Sequence, residues 1–350
     1  MKKLASIFLA MVILVSFCTF TGCSKEDKTL NIFTWEAYIP QNVIDDFTAE
    51  TGIVVNYSNF ESNEEMLAKL QAAKGGTYDL IVASDYIIDI AVREGGLVGE
   101  IDKSKIPNYS NISPDFQSQY YDPDNLYTVP YVAGTPLIVY NPDMVDFEIK
   151  GISDLWDESL EDSVCVLDDS RNTIGMVNLS LGYSLNETDD AKLKNTRERL
   201  MALSKNIRAF DNDTPQNLLI SGEVAAAYMF TPNVVEALAA NENFKVVYPE
   251  EGMGFGIDSF FMAANAPHKD NAYAFLNFVL DAERGAHISE EVEYICTNAA
   301  SYEYLSSDST ENQALYIPSE VLGNAEFMMD VGEKTTVYDE MWTEFKQMFN

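Results

Sequence analysis

The chain has 350 residues, 47% of them hydrophobic, and sets 56 Asp and Glu against 22 Lys and Arg, for a formal net charge of −34. That length is enough for two cores, and the acidity excludes a nucleic-acid partner, which demands a basic face to displace counterions. It also excludes charge-driven binding to anionic lipid; it suits a cationic ligand, although solubility and self-repulsion explain it equally.

Lys2 and Lys3 precede an apolar segment from Leu4 to about Val15, and Phe20-Thr21-Gly22-Cys23 follows. A basic start, an apolar core too short to span a bilayer comfortably and small residues at the end describe a secretory signal over residues 1–22. Gly22 directly before Cys23 matches a bacterial lipobox, apart from Phe20 where an aliphatic residue is usual. Cys23 is then the expected lipidated first residue of an extracytoplasmic, membrane-anchored protein, with residues 23–28 as tether. Ordinary cleavage leaving a free thiol is the alternative. Cys165 sits in the apolar run SVCVL and reads as a small buried residue, and Cys296 follows Tyr294-Ile295. Two cysteines carry no spacing signature, so free thiols are expected although export permits a disulfide.

The next elements follow one another closely. Thr29–Thr34 reads as a strand, and the helix after Pro40 aligns Val43, Ile44 and Phe47 before Gly52 stops it. Residues 53–60 are rich in strand formers. Ser62 to Glu65 spells a capping box that opens a helix with Met66, Leu67 and Leu70 inward, ended by Gly75-Gly76. Tyr78–Ala83 is an apolar strand, and a helix runs from Tyr86 to Arg93 before Gly95-Gly96. This alternation predicts an α/β fold with a mainly parallel sheet flanked by helices. Beyond the loop 120–125, Val129–Asn141 reads as one long extended run. Residues 167–174 join a strand to a helix, Asp189-Asp190 open a helix carrying Leu193, Leu200 and Leu203, and Val224–Phe230 is another strand. Phe255–Ala264 is the second long extended run. Two such runs suit a chain that crosses twice between lobes, 29–134 with 257–303 and 135–256 with 304–350. Helices at 271–280 and 337–349 are expected to pack on different lobes.

Trp35-Glu36, Ser84-Asp85-Tyr86 and Asp168-Asp169 each follow the carboxyl end of a predicted strand, and Asp258 lies inside the second long run. Carboxyl ends of parallel strands share one edge, so these loops converge on one crevice that two lobes can enclose. A large aromatic face beside a carboxylate is chemically suited to an organic cation. At ~4 Å and an effective dielectric of ~20, each ion pair there has a Coulomb term of about 4 kcal/mol before desolvation.

The stretch LNIFTWEAYIP and its continuation QNVIDDFTAETGIVVNYSNFESNEEMLAKL resemble the polyamine-binding proteins of the spermidine/putrescine type that serve bacterial ABC importers. The likeness runs through nearly the whole mature chain. It implies a two-lobed, type II periplasmic-binding-protein-like fold, a polyamine as ligand, the membrane subunits of an ABC permease as partners, no cofactor and no enzymatic activity. In that family a Trp at Trp35, a Tyr at Tyr38 and a Tyr at Tyr294 wall the site, with Ser84 and Tyr86 in the next loop. Asp169 and Asp258 match its amine ligands, in the contexts LDDSRN and GIDS. Departures are equally specific. Asn172 stands where a second carboxylate is usual, Phe230 and Gly256 stand for Trp, and Met328 stands for a polar residue. Glu36 replaces a small hydroxyl, whereas the acid expected next is Ala37. The resemblance therefore implies one carboxylate lost opposite Asp258, one moved to Glu36, and a wider pocket.

Each residue also has a plainer role: Asp169 as a helix cap, Glu36 as a solvated first-turn acid, and the aromatics as core. His268 and His287 read as surface residues, and no metal-ligand spacing, P-loop or nucleophile elbow is present. Gly252 to Gly256 precedes an extended run and not a helix, so it is no phosphate loop. Asp122–Asn125 and Asp211–Thr214 read as turns. Another small organic cation, or an amino-acid-like ligand, is the nearest rival reading. A secreted hydrolase using Asp169 and Asp258 as acid and base is a more distant one.

Overall fold

The structure is a computed structural model that describes residues 28–349. The signal-like segment and Cys23 lie outside the described residues. Strand β1 (Thr29–Thr34) buries Leu30, Ile32 and Phe33, and helix α1 (Gln41–Thr51) turns Val43, Ile44 and Phe47 inward before Gly52 ends it in a left-handed cap. Strand β2 (Val54–Asn59) pairs parallel with β1. The Ser62 side chain accepts from the Glu65 amide at the start of α2 (Asn63–Ala72), while the Glu65 carboxylate reaches past Ser62 to the Glu61 amide. Strand β3 (Leu80–Ser84) pairs parallel with the other side of β1 and leads directly into α3 (Asp85–Glu94). A short β4 (Val98–Gly99) follows.

The expected run from Val129 to Asn141 is two strands, β5 (Thr128–Gly134) and β6 (Leu137–Tyr140). Pro136 lacks an amide donor, and Thr135 is taken by other partners: its amide donates to Thr231 Oγ1 and its hydroxyl to the Gly254 carbonyl. The chain changes sheets at that break. It continues through β7 (Val164–Val166), α4 (Ser170–Ser180), α5 (Asp190–Leu203), β8 (Ile207–Phe210), α6 (Pro215–Ser221), β9 (Ala226–Met229), α7 (Thr231–Ala240) and β10 (Lys245–Val247). Strand β11 (Met253–Ala263) is the return crossing. Helices α8 (Lys269–Val279) and α9 (Ala282–Val292), strand β12 (Ile295–Cys296), short helices α10 (Ser307–Glu311) and α11 (Ser319–Leu322), β13 (Ala325–Phe327) and α12 (Thr335–Lys346) complete the chain.

One sheet has the order β12-β5-β11-β3-β1-β2, with β4 and β13 on β11; the other is β10-β6-β9-β7-β8. In the first, β1, β2, β3 and β5 run one way and β11 and β12 run against them. In the second, only β6 opposes the rest. Each sheet has its own apolar core, and a third cluster, with Leu137, Val139, Cys165 and Ala227, covers the other face of the second sheet and reaches Ala133 and Ile257 at the crossing. Helix α8 packs Phe275 and Phe278 on Phe47 in the first core, and α12 inserts Tyr338, Met341 and Phe345 into the second. Fully burying each such side chain contributes about 1.5–3 kcal/mol.

His268 is not a surface residue. Its ring Nδ1 lies 2.9 Å from Oδ2 of the fully buried Asp79, whose carboxylate also accepts the amides of Asn31 and His268. A buried carboxylate needs such partners, and they tie α8 to the first sheet. His287 is exposed, as expected. Cys165 and Cys296 are buried free thiols.

Candidate functional site

Between the two sheets lies a cleft of about 580 Å³, a size typical of small-molecule sites. The first sheet supplies Trp35, Tyr38, Ser84, Asp85, Tyr86, Asp258 and Tyr294 to its lining; Asp169, Asn172, Phe230 and Met328 come from the other side. Glu36 is the exception among the expected residues. It is exposed and outside the lining. The reason is the turn it occupies: Ala37 adopts a φ of 54°, and Tyr57 pins the turn by donating its hydroxyl to the Trp35 carbonyl at 2.7 Å while accepting the Tyr38 amide. Trp35 and Tyr38 are aimed inward, and Glu36 between them is not. Glu36→Gln is therefore expected to change the affinity for any cation held in the cleft by less than about twofold in calorimetry, as solvated charges contribute little.

The aromatic walls are mutually supported. Trp35 meets Tyr38 edge-on at 5.1 Å and packs on Phe60 at 4.8 Å, so it serves both wall and core. Tyr38 meets Tyr294 at 5.7 Å. The Tyr294 ring lies against Gly134, where an added Cβ would approach Cε1 to 2.8 Å, so glycine is required at that crossing. Tyr131 donates to the Tyr38 carbonyl from a bulge in β5 opposite Asp258 and Ser259, and such irregularities re-aim neighbouring side chains.

Three carboxylates reach the cleft from expected positions. Asp258 accepts a hydrogen bond from the Tyr38 hydroxyl. Burial pushes its carboxyl above the usual range, and hydrogen bonds from Tyr38 and Ser84 work against that. Burial, then the Asp258 charge, pushes the Tyr38 hydroxyl well up. Asp85, only 2% exposed, opens α3 and accepts the amides of Tyr86 at 2.6 Å and Ile257 at 3.1 Å. Burial raises its carboxyl to about 8, opposed by the Ile257 amide and reinforced by the Asp258 charge. Asp169 caps α4 by accepting the Asn172 amide at 2.7 Å while lining the cleft, so its two candidate roles coexist. Its neighbour Asp168 is held instead by Lys346 at 2.8 Å.

Glu61, Asn63, Asn212 and Asp213 also line the cleft and were not expected there. Asn63 exchanges hydrogen bonds with Ser84, at 3.2 Å to its hydroxyl and 3.4 Å from its amide. Asp211 does form the expected turn, accepting the amides of Asp213 and Thr214, and that turn presents Asn212 and Asp213 to the cleft. Both pairs follow strands, β2 and β8, so the strand-end rule that found Trp35 and Ser84 covers them too. Among the described residues, no group of three or more His, Cys, Asp or Glu side chains is arranged to hold a metal ion.

Comparison with known proteins gives a consistent picture. A family model described as bacterial extracellular solute-binding protein matches residues 42–316. The spermidine/putrescine-binding periplasmic protein of Escherichia coli (strain K12) is 36% identical over 324 residues, covering 92% of this chain and 93% of its own. The crystal structure of the spermidine/putrescine ABC transporter substrate-binding protein PotD from Streptococcus pneumoniae superposes with a TM-score of 0.82 at 35% identity, covering 91% of this chain and 98% of that one. The TpPotD lipoprotein of Treponema pallidum superposes with a TM-score of 0.80 at 27% identity, covering 91% and 99%.

Proposed function

We propose a particular cargo for this chain, which belongs to the bacterial extracellular solute-binding proteins: a linear polyamine such as putrescine or spermidine, captured for an ABC importer. Solute binding outside the cytoplasm is the work of the family; the amine is our reading. The observation that carries it is the convergence of Asp258 and Asp169, from different sheets, on a cleft walled by Trp35, Tyr38, Tyr86, Phe230 and Tyr294. Separated carboxylates suit the ammonium ends, and aromatic faces suit both the cations and the methylenes between them. The relatives named for spermidine and putrescine support the same reading.

The lobes we assign are 29–134 with 257–303 and 135–256 with 304–350, hinged where Gly134–Pro136 runs beside Gly254–Gly256. Closure about those crossings would bury the amine and present a new surface to permease subunits. Without a second carboxylate at Asn172 and without indole walls at Phe230 and Gly256, discrimination between diamines and longer polyamines is expected to be weak. A thermal-shift series with putrescine, cadaverine, spermidine, spermine, choline and basic amino acids tests the reading. A ligand that binds only the folded protein raises its melting temperature, by an amount that grows with concentration. A response confined to choline or to amino acids would displace polyamines as the cargo.

Anchoring through Cys23 is part of the same proposal, supported by Gly22-Cys23 after the apolar segment and by the lipoprotein relative from Treponema pallidum. Cys23→Ala should release the protein from membranes or block its processing. An unmodified Cys23 in the intact mass of the native product would refute the anchor.

A further inference from the structure

Resting on the amine reading, we propose that Asp85 is a proton-releasing third carboxylate of the site, reached by an ammonium group through the space left open at Gly256. The placement of Asp85 supports this. A Cβ built on Gly256 would meet a single heavy atom within 4 Å, Asp85 Oδ2 at 3.7 Å. The backbone at Gly256 is not left-handed, so glycine is not required there for conformation. What glycine supplies is access: any side chain would stand between the cleft and the carboxyl oxygen. Both residues line the same cleft, and Asp85 is otherwise sealed.

Among the described residues, no cation answers that carboxyl. Its oxygens accept backbone amides from Tyr86 and Ile257, and the Tyr120 hydroxyl lies 3.5 Å from Oδ1 while donating to the Met328 carbonyl. The groups facing it are Asp258 on β11 and Tyr120 and Tyr121 on the segment before β5; on its own helix the Tyr86 hydroxyl goes instead to Glu64. Asp89, one turn further along α3, is paired with Arg93 at 2.9 Å. Among the described residues no Lys, Arg or His forms an ion pair with Asp85. Buried beside a second carboxylate, with its carboxyl raised to about 8, Asp85 holds its proton at neutral pH in the ligand-free cleft.

An ammonium entering over Gly256 reverses that balance. The Asp85 O–H bond breaks, its electron pair stays on the carboxylate that now faces the cation, and the proton leaves to solvent. The proton's new bond is to a water or buffer base, and no other covalent bond changes. The third carboxylate thereby offsets the one missing at Asn172, and it is charged only when a cation is present. Because the bound state holds fewer protons, affinity rises with pH. The rise approaches tenfold per pH unit between the bound-state and free-state ionisations, and levels off above about 8.

Isothermal titration calorimetry with putrescine at pH 7, in buffers of different ionisation enthalpy, counts the protons released. Putrescine is fully protonated there, because alkylammonium groups ionise only near ~10. Close to one proton per amine is expected, with Kd rising roughly tenfold from pH 7 to pH 6. Asp85→Asn should bind more weakly at pH 8, release close to none and show a flat profile. Gly256→Ala, which leaves both carboxylates in place and adds only an ordinary van der Waals contact, should also suppress the release without lowering the melting temperature. Binding without proton release in the parent overturns the proposal and leaves the amine reading intact. Release that persists unchanged in Asp85→Asn belongs to another group, such as Asp258, and also overturns it. If no amine binds the parent, the amine reading fails and this proposal falls with it.

Discussion

Asp258→Asn is expected to raise the Kd for the best-bound amine by about 30-fold or more, the equivalent of about 2 kcal/mol, while the fold survives. The size follows from where the carboxylate sits. Asp258 is held in the middle of β11, paired with Ser84 on β3 and Val132 on β5, with the Tyr38 hydroxyl on one oxygen. Burial already disfavours its charge, so a ligand ammonium gains from neutralising a group that water cannot fully solvate. In the Asn variant the ammonium must give up water without a counter-charge. The amide keeps an oxygen to accept from Tyr38 and nearly the same volume, so the ladder and the aromatic packing have no cause to move. Calorimetry and thermal melting separate the two effects. Unchanged amine affinity in a folded Asp258→Asn protein would remove this residue from the site.

Local order was the legible part of the sequence. The elements from β1 to α3 are each delimited by something visible within a few residues: Gly52 at a left-handed helix end, Ser62 at a cap, apolar runs of strand length. The break at Thr135-Pro136 was not legible as a change of sheet, because what holds it comes from Thr231 and Gly254, about a hundred residues away. His268 was misjudged for the same reason, since its partner Asp79 lies 189 residues earlier. In the cleft, residues directly after β1, β3 and β7 were found by strand-end logic. Glu61, Asn63, Asn212 and Asp213 obey that logic, but a cap and a turn already accounted for them locally. Glu36 failed in the opposite sense. A single left-handed residue, Ala37, decides which side chains of the turn face inward, and no periodicity reports it.

Asp169 holds two roles at one carboxylate, and a pair of substitutions should pull them apart. Its Oδ1 accepts the Asn172 amide and so caps α4, while its position in the cleft sets it opposite the carboxylates of the first sheet. Asn is as good an N-cap as Asp, whereas Ala is a poor one that costs ~1 kcal/mol. Asp169→Asn should therefore retain stability to within about 0.5 kcal/mol and still lose roughly 2 kcal/mol of amine binding, because the counter-charge is gone. Asp169→Ala should lose both, with a lower urea midpoint as well as a higher Kd. The contrast is sharpened by Asn172, whose side chain has no charge to substitute for the missing one. The binding loss should therefore exceed that in a site with an acid at position 172 as well, because here only Asp213, in the separate turn after β8, remains on this side. Urea unfolding and calorimetry on the two variants decide the matter. If Asp169→Asn binds putrescine and spermidine as the parent does, Asp169 is only the cap of α4. The second lobe would then hold its end of the ligand through Asp213 and the aromatic wall.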